Sequence, residues 1–251
     1  MSTPGNDDPF FIGWAKTPAS LRDLMIGIGL GLIVLLGLAG YMVAATQDDP
    51  GDGAFRGRAS AIGVMQADPY PVVHVIESEG YAPGDAVLLS GLGKRGVQDR
   101  AALVDGAVVE ISGGRLLRGD IKGMQLGGGD NGLKPADGTG TLPDPVDLGR
   151  WRITGEICDG KCLTGAMRPG RGLAHKACAN LCLIGGVPPV FVATAKVDGA
   201  EFFLLADADG GPVTEAILDH TAILVEVEGR VERRGTLHVF RIDPQTLKVA
   251  P

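Results

Sequence analysis

Side chains that can bind soft metals or exchange electrons are gathered in one run, Glu156 to Pro189 (E-I-C-D-G-K-C-L-T-G-A-M-R-P-G-R-G-L-A-H-K-A-C-A-N-L-C-L-I-G-G-V-P-P), which holds all four cysteines of the 251-residue chain. They fall as two C-x3-C pairs, Cys158/Cys162 and Cys178/Cys182, with Met167 and His175 between the pairs. An even number of cysteines in an exported domain ordinarily forms disulfides. Crossed pairing of Cys158 with Cys182 and of Cys162 with Cys178 would staple the two ends of the run, each bridge adding about 2 to 4 kcal/mol. Spacing alone leaves three connectivities open. Under this preferred reading no cofactor is needed.

The same residues support a second chemistry. Thiolates, the His175 imidazole and the Met167 thioether are a soft ligand set suited to copper as Cu(I), or to zinc. Zinc knuckles, however, use C-x2-C spacing, and an oxidising compartment competes for the thiols. A redox-active disulfide is a third reading. Charge adds a further role: Lys161, Arg168, Arg171 and Lys176 stand against Asp159 alone within residues 159–188, in a chain of net charge −7. This basic patch could dock an anionic group or an acidic protein.

These residues need a frame. Leu173 to Leu183 reads as a helix ended by Gly185, Gly186 and the following prolines, and it puts His175, Cys178 and Cys182 at i, i+3 and i+7 on one face. Cys158 and Cys162 fall at the end of a strand and in the turn after it, facing that helix. The run, residues 158–188, is an enlarged connection between two strands, and loops of that length in compact domains are usually functional.

Around it, residues 24–45 carry no charge, and 22 residues at about 1.5 Å each can cross a hydrocarbon core of about 30 Å. Residues 1–23 read as a cytoplasmic tail. Val43-Ala44-Ala45 is an acceptable cleavage site, but the apolar run exceeds an ordinary signal core, so a retained anchor is expected. Lys16 and Arg22 precede the span while Asp48, Asp49 and Asp52 follow it. The positive-inside rule then leaves the N-terminus in the cytoplasm and exports the rest.

After a linker at 46–54, residues 55–126 and 150–251 form two related domains joined by a Gly- and Pro-rich linker at 127–149. Leu88 to Leu126 aligns without gaps on Leu204 to Ile242 at a constant offset of 116, with Leu88/Leu204, Val109/Val225, Gly113/Gly229 and Arg118/Arg234 identical. This indicates an internal duplication. Alternation and β-branched content give the order strand, strand, strand, helix, strand, strand in each copy. The fold class expected is therefore mainly β: a membrane helix, then two tandem OB-like barrels, the second with a Cys-rich helical insert between its first two strands.

With 40 glycines and 5% aromatics, the composition suits short strands and tight turns. The net negative charge argues against nucleic acid. Asp207-Ala208-Asp209-Gly210-Gly211 opens like a calcium loop but lacks the later glutamate. No serine nucleophile, phosphate loop or paired-carboxylate motif stands out, so a non-catalytic role is expected.

The run quoted above resembles a motif of poorly characterised bacterial membrane-anchored exported proteins. The resemblance covers about 35 residues and implies no activity. It is consistent with a single-pass protein of a bacterial inner membrane with periplasmic domains. The function expected is that of an accessory subunit or assembly partner of a membrane-bound complex, such as a respiratory one, docking through the basic Cys-rich insert. The alternatives are a metal-binding or electron-transfer protein and a thiol-disulfide redox protein.

Overall fold

The computed structural model describes residues 17–45, 51–213 and 215–250. Most of the expected tail, and residues 46–50 of the expected first linker, lie outside the described residues. The chain divides into two compact units, Met1–Asp48 and Asp49–Pro251. In the first, helix α1 spans Ala19–Ala45, with the Pro18 carbonyl accepting from the Leu21 and Arg22 amides. It starts five residues before the expected span, so Arg22 and Asp23 join its first turns. Its 27 residues correspond to about 40 Å of helix. This helix is long and apolar enough to cross a membrane.

The second unit opens with β1 (Ala54–Gln66), β2 (Val72–Ser78) and β3 (Ala86–Ser90), followed by a short helix α2 (Gln98–Ala102), β4 (Val108–Arg118) and β5 (Ile121–Leu126). The expected second linker contains a short strand, β6 (Leu133–Pro135), which pairs with β4. Next come β7 (Val146–Asp159), the insert with helix α3 (Lys176–Ile184), β8 (Pro189–Val197), β9 (Ala200–Ala206), β10 (Leu224–Arg234), β11 (Leu237–Ile242) and the two-residue β12 (Lys248–Val249). Strand β7 starts inside the expected linker. The helix expected between the third and fourth strands of the second copy is a 3-10 turn, Glu215–His220.

In the C-terminal half the pairings run β7, β8, β9, β11, β10 and back to β7, with β9 and β11 parallel and the rest antiparallel, so five strands close into a β-barrel. In the N-terminal half β1, β2, β3, β5 and β4 are paired in the same circuit, which also returns to β1. The offset of 116 carries through to register: Leu88 opposite Gly123 recurs as Leu204 opposite Val239, and Gly113 opposite Leu126 recurs as Gly229 opposite Ile242. Gly113 and Gly229 lie where strands cross closely, and a Cβ on either would collide with the backbone of β5 or β11.

Each half has its own interior. Met65, Val73, Leu89, Ile111 and Met124 fill the first. Phe191, Phe203, Phe240 and Ile157 fill the second, Phe240 meeting the other two rings edge-on. A third apolar cluster lies between the halves, where Tyr70, Val72 and Leu88 pack with Cys158, Val190 and Leu204. Because side chains alternate along a strand, Leu89 and Leu205 point into their own interiors while their neighbours Leu88 and Leu204 meet in the shared layer. Equivalent strands of the two copies thus face each other, which holds the insert of one half against loops of the other.

Candidate metal centre

The insert begins where β7 ends. Alternation sends Cys158 and Asp159 to opposite sides of the strand. Cys158 enters the apolar layer between the halves and its thiol donates to Glu156 Oε1 at 3.3 Å. Burial, reinforced by the Glu156 carboxylate, pushes that thiol well up, so it is a neutral packing group. Asp159 turns the other way and is fully buried. Its Oδ1 accepts from the Cys162 amide at 2.8 Å and its Oδ2 lies 3.0 Å from His175 Nε2. One carboxylate therefore fixes both the turn that carries Cys162 and the residue that precedes α3.

That turn, Cys162–Ala166, is held by Thr164 Oγ1 donating to the Gly160 carbonyl at 2.7 Å. From outside it is held by the buried Arg118 of β4, whose Nε donates to the Leu163 carbonyl at 2.6 Å and whose Nη2 donates to the Pro169 carbonyl. Gly165 has φ of 128° and packs against the backbone of Ala54, so only glycine fits there. Helix α3 supplies Cys178 and Cys182 from the face expected, with His175 as its cap residue. It ends where Gly186 N donates to Leu183 O and Val187 N to Cys182 O.

The outcome is two linked triads. The sulfurs of Cys162, Cys178 and Cys182 all lie within 4.8 Å of one another, as do ligand atoms of Asp159, Cys162 and His175. Met167 Sδ is 3.4 Å from Cys178 Sγ, adding a thioether beside the thiols. Cys162 and Cys182 are buried, and Cys178 is half-buried. The Cys162 thiol donates to Cys182, which lowers the proton affinity of Cys182 and raises that of Cys162. Of this pair, Cys182 is the one that deprotonates first.

The N-terminal half closes the site through the loop between β3 and α2. Lys94 Nζ donates to Cys178 Sγ at 2.6 Å, and Gly96 N donates to the Gly185 carbonyl at 2.7 Å. The hydrogen bond to Cys178 raises the Lys94 pKa. Lys161 reaches the other way, donating to the carbonyls of Gly91 and Gly93 at 2.7 and 2.6 Å. Burial lowers the Lys161 pKa, and the nearby Cys182 and Cys162 sulfurs oppose that shift.

Comparison of the chain with protein-family models, with curated proteins and with solved structures finds no match. What the site can do therefore rests on its own geometry.

In that geometry the expected disulfides are absent. All four cysteines are free, and the crossed staples are not formed. For Cys158 and Cys182 the reason is strand alternation, which puts Cys158 in the inter-half layer, away from the cluster that contains Cys182, whereas Cys162 and Cys178 share one cluster as free thiols. The four basic residues of the insert do not share one setting. Lys161 is buried with its ammonium on two carbonyls. Arg171 pairs with Glu156 at 3.3 Å, and Lys176 donates to the Asp219 carbonyl. Arg168 is exposed and lines an open cavity with Arg118, Arg171 and Asp52. Conversely, Asp159, Lys94 and Arg118 are site residues that motif reading passes over. The available signal was that Asp159 is the lone acid in a basic run, whereas nothing local marks Lys94.

Proposed function

We propose that this chain is a membrane-anchored accessory protein that holds a soft metal, Cu(I), on Cys162, Cys178 and Cys182 with Met167 as an added ligand. The observation that carries this reading is the convergence of three thiols and a thioether in one half-covered pocket. Zinc sites draw on thiolate, imidazole and carboxylate, and a thioether is foreign to that set, whereas soft Cu(I) accepts both kinds of sulfur. His175 supports the site from outside: its Nε2 is engaged by Asp159, as expected of a group that orients the turn bearing a ligand. Three thiolates carry more charge than one Cu(I), and the Lys94 and Lys161 ammoniums beside them offset the surplus.

The remaining parts fit that role. Both strand circuits read as OB-type barrels, a scaffold that leaves the first connection free to enlarge. The positive-inside pattern supports an N-terminus in the cytoplasm and a metal site outside it. An exported metal-holding accessory would serve as assembly partner of a membrane-bound metalloprotein complex. A second reading, thiol-disulfide exchange, draws on the same proximity of three sulfurs and on the Lys94 ammonium at Cys178.

The deciding experiment uses the full chain purified anaerobically in detergent. One Cu(I) per chain, displaced only by a strong Cu(I) chelator, with four thiols counted after denaturation in its absence, supports the copper reading. Failure to bind Cu(I), together with a reversible disulfide among Cys162, Cys178 and Cys182, replaces it with the exchange reading.

A further inference from the structure

The solvent side of α3 has the wrong polarity for a surface helix. Ala177, Leu181 and Ile184 are exposed at helical spacing, with Cys178 in their midst and the exposed Ala174 in the turn before the helix, and Leu181 and Ile184 are 55% and 62% exposed. Leu92, 60% exposed, stands two residues from Lys94, and Met167, 48% exposed, touches Cys178. The apolar surface thus surrounds the one half-buried sulfur of the cluster. Its charged surroundings are mainly basic: residues 160–189 contain no acid, and the exposed Lys94, Arg95 and Arg168 lie within three residues of Leu92 or Met167 in the chain, while Asp219, whose carbonyl accepts from Lys176, is an acid at the edge of α3. This lies on a chain of net charge −7.

We infer that this face is the docking surface for an acidic carrier protein that exchanges Cu(I) with the site, an inference that rests on the copper reading above. An apolar centre with a mainly basic rim is the pattern of a recognition surface, in which the rim steers and orients the partner. The partner must be acidic because the rim is basic, and it must carry sulfur ligands because the exchange is ligand for ligand. A partner thiolate or thioether takes the place of Met167, which is exposed, and then of Cys178, which is half-buried. The metal stays Cu(I) throughout and no electron moves. Cys162 and Cys182, both buried, let go last.

The test places a photo-crosslinking amino acid at the exposed Ala177 of the full chain in native membranes. The expected product is an adduct with a second protein that has an acidic surface and Cys or Met copper ligands. Its yield should fall about tenfold with Arg95→Glu or Leu181→Asp and should fall as salt rises. The copper content of both variants, titrated with Cu(I) alone, should match the parent. An adduct with another copy of this chain, with lipid, or with a protein lacking soft-metal ligands overturns the inference, as does the absence of any adduct. Intact Cu(I) binding without the adduct defeats the docking surface alone, whereas the adduct without Cu(I) binding defeats the copper reading.

Discussion

Lys94 Nζ and Cys178 Sγ are 2.6 Å apart, although 84 residues separate them in the chain. The contact joins the N-terminal half to the insert of the C-terminal half, and it puts a cation on the most accessible of the four thiols. Such a pair exists only because the copies pack face to face through Leu88 and Leu204.

Removing that cation tests its share in the site. Lys94→Met should weaken Cu(I) binding two- to fivefold, the range expected of an exposed ion pair, when measured by competition with a Cu(I) chelator. The chain should remain folded, because Lys94 is exposed. An unchanged affinity would show that Lys94 merely rests on the thiol.

The cysteines should divide three to one. Cys162→Ser, Cys178→Ser and Cys182→Ser should each abolish stoichiometric Cu(I) binding. Cys158→Ala should keep it and lower stability by about 1 kcal/mol, the scale of a small deletion in a packed layer. Loss of copper from Cys158→Ala at undiminished stability would mean that this thiol serves the metal after all.

How much of this was visible in the sequence depends on which interactions are local. The helix face bearing His175, Cys178 and Cys182 follows from spacing of three and four residues, and the matching strand registers follow from a gapless repeat. The apolar runs A-V-L-L-S and F-F-L-L-A also mark strands with both faces covered. What lies opposite Leu88 is not a local property, so the shared layer could not be read. The fate of Cys158 follows from that layer. Two cysteines four apart look equivalent on paper, yet one ends a strand and the other begins a turn. Lys161 misled for a related reason: a lysine in a basic run reads as surface, and only the loop at Gly91 and Gly93 shows where its ammonium goes.

Asp159 and His175 form a buried pair whose loss should be structural before it is chemical. His175→Ala leaves Asp159 Oδ2 buried without its hydrogen-bond partner, and an unsatisfied buried polar group typically costs about 1 to 3 kcal/mol, more where it is charged. Asp159→Asn, which keeps an acceptor for the Cys162 amide, should cost less. Thermal unfolding of the metal-free chain in detergent measures both. A silent His175→Ala would remove Asp159 from the account of the site.

Acid should destabilise the N-terminal half through His74. Burial, helped by the Arg234 guanidinium, lowers its pKa from 6.5 to about 4, and its Nε2 is 3.0 Å from Gln66 Oε1. As pH falls below 6.5 the unfolded chain takes up the proton and the folded chain does not. Stability is therefore lost progressively between pH 6.5 and about 4, by about 3 kcal/mol in full. His74→Gln should flatten that dependence in denaturation curves recorded from neutral to about pH 4. A slope as steep as the parent's would point to another titrating group.

The loop that carries Lys94 is seated by two glycines whose role is space, since neither has a positive φ. A Cβ on Gly96 would fall on the Gly186 carbonyl and the Gln98 amide, and one on Gly185 would fall on the Lys94 carbonyl. Gly96→Ala must therefore push the loop off the insert, breaking the bond from Gly96 N to the Gly185 carbonyl and withdrawing Lys94 from Cys178. Overpacking of this kind costs about 1 to 3 kcal/mol, small enough for the chain to stay folded. Timed alkylation of the native, metal-free chain, followed by peptide mass analysis, reads out the consequence. In the parent, Cys178 should react first and Cys162 and Cys182 much more slowly. In Gly96→Ala, Cys182 should react about tenfold faster, because the cover over the cluster has lifted. Gly128→Ala, where a Cβ meets nothing within 4 Å, should leave every rate unchanged. If Gly96→Ala alters neither the order nor the rates, the N-terminal half does not guard the thiols, and the closed state of the site belongs to the insert alone.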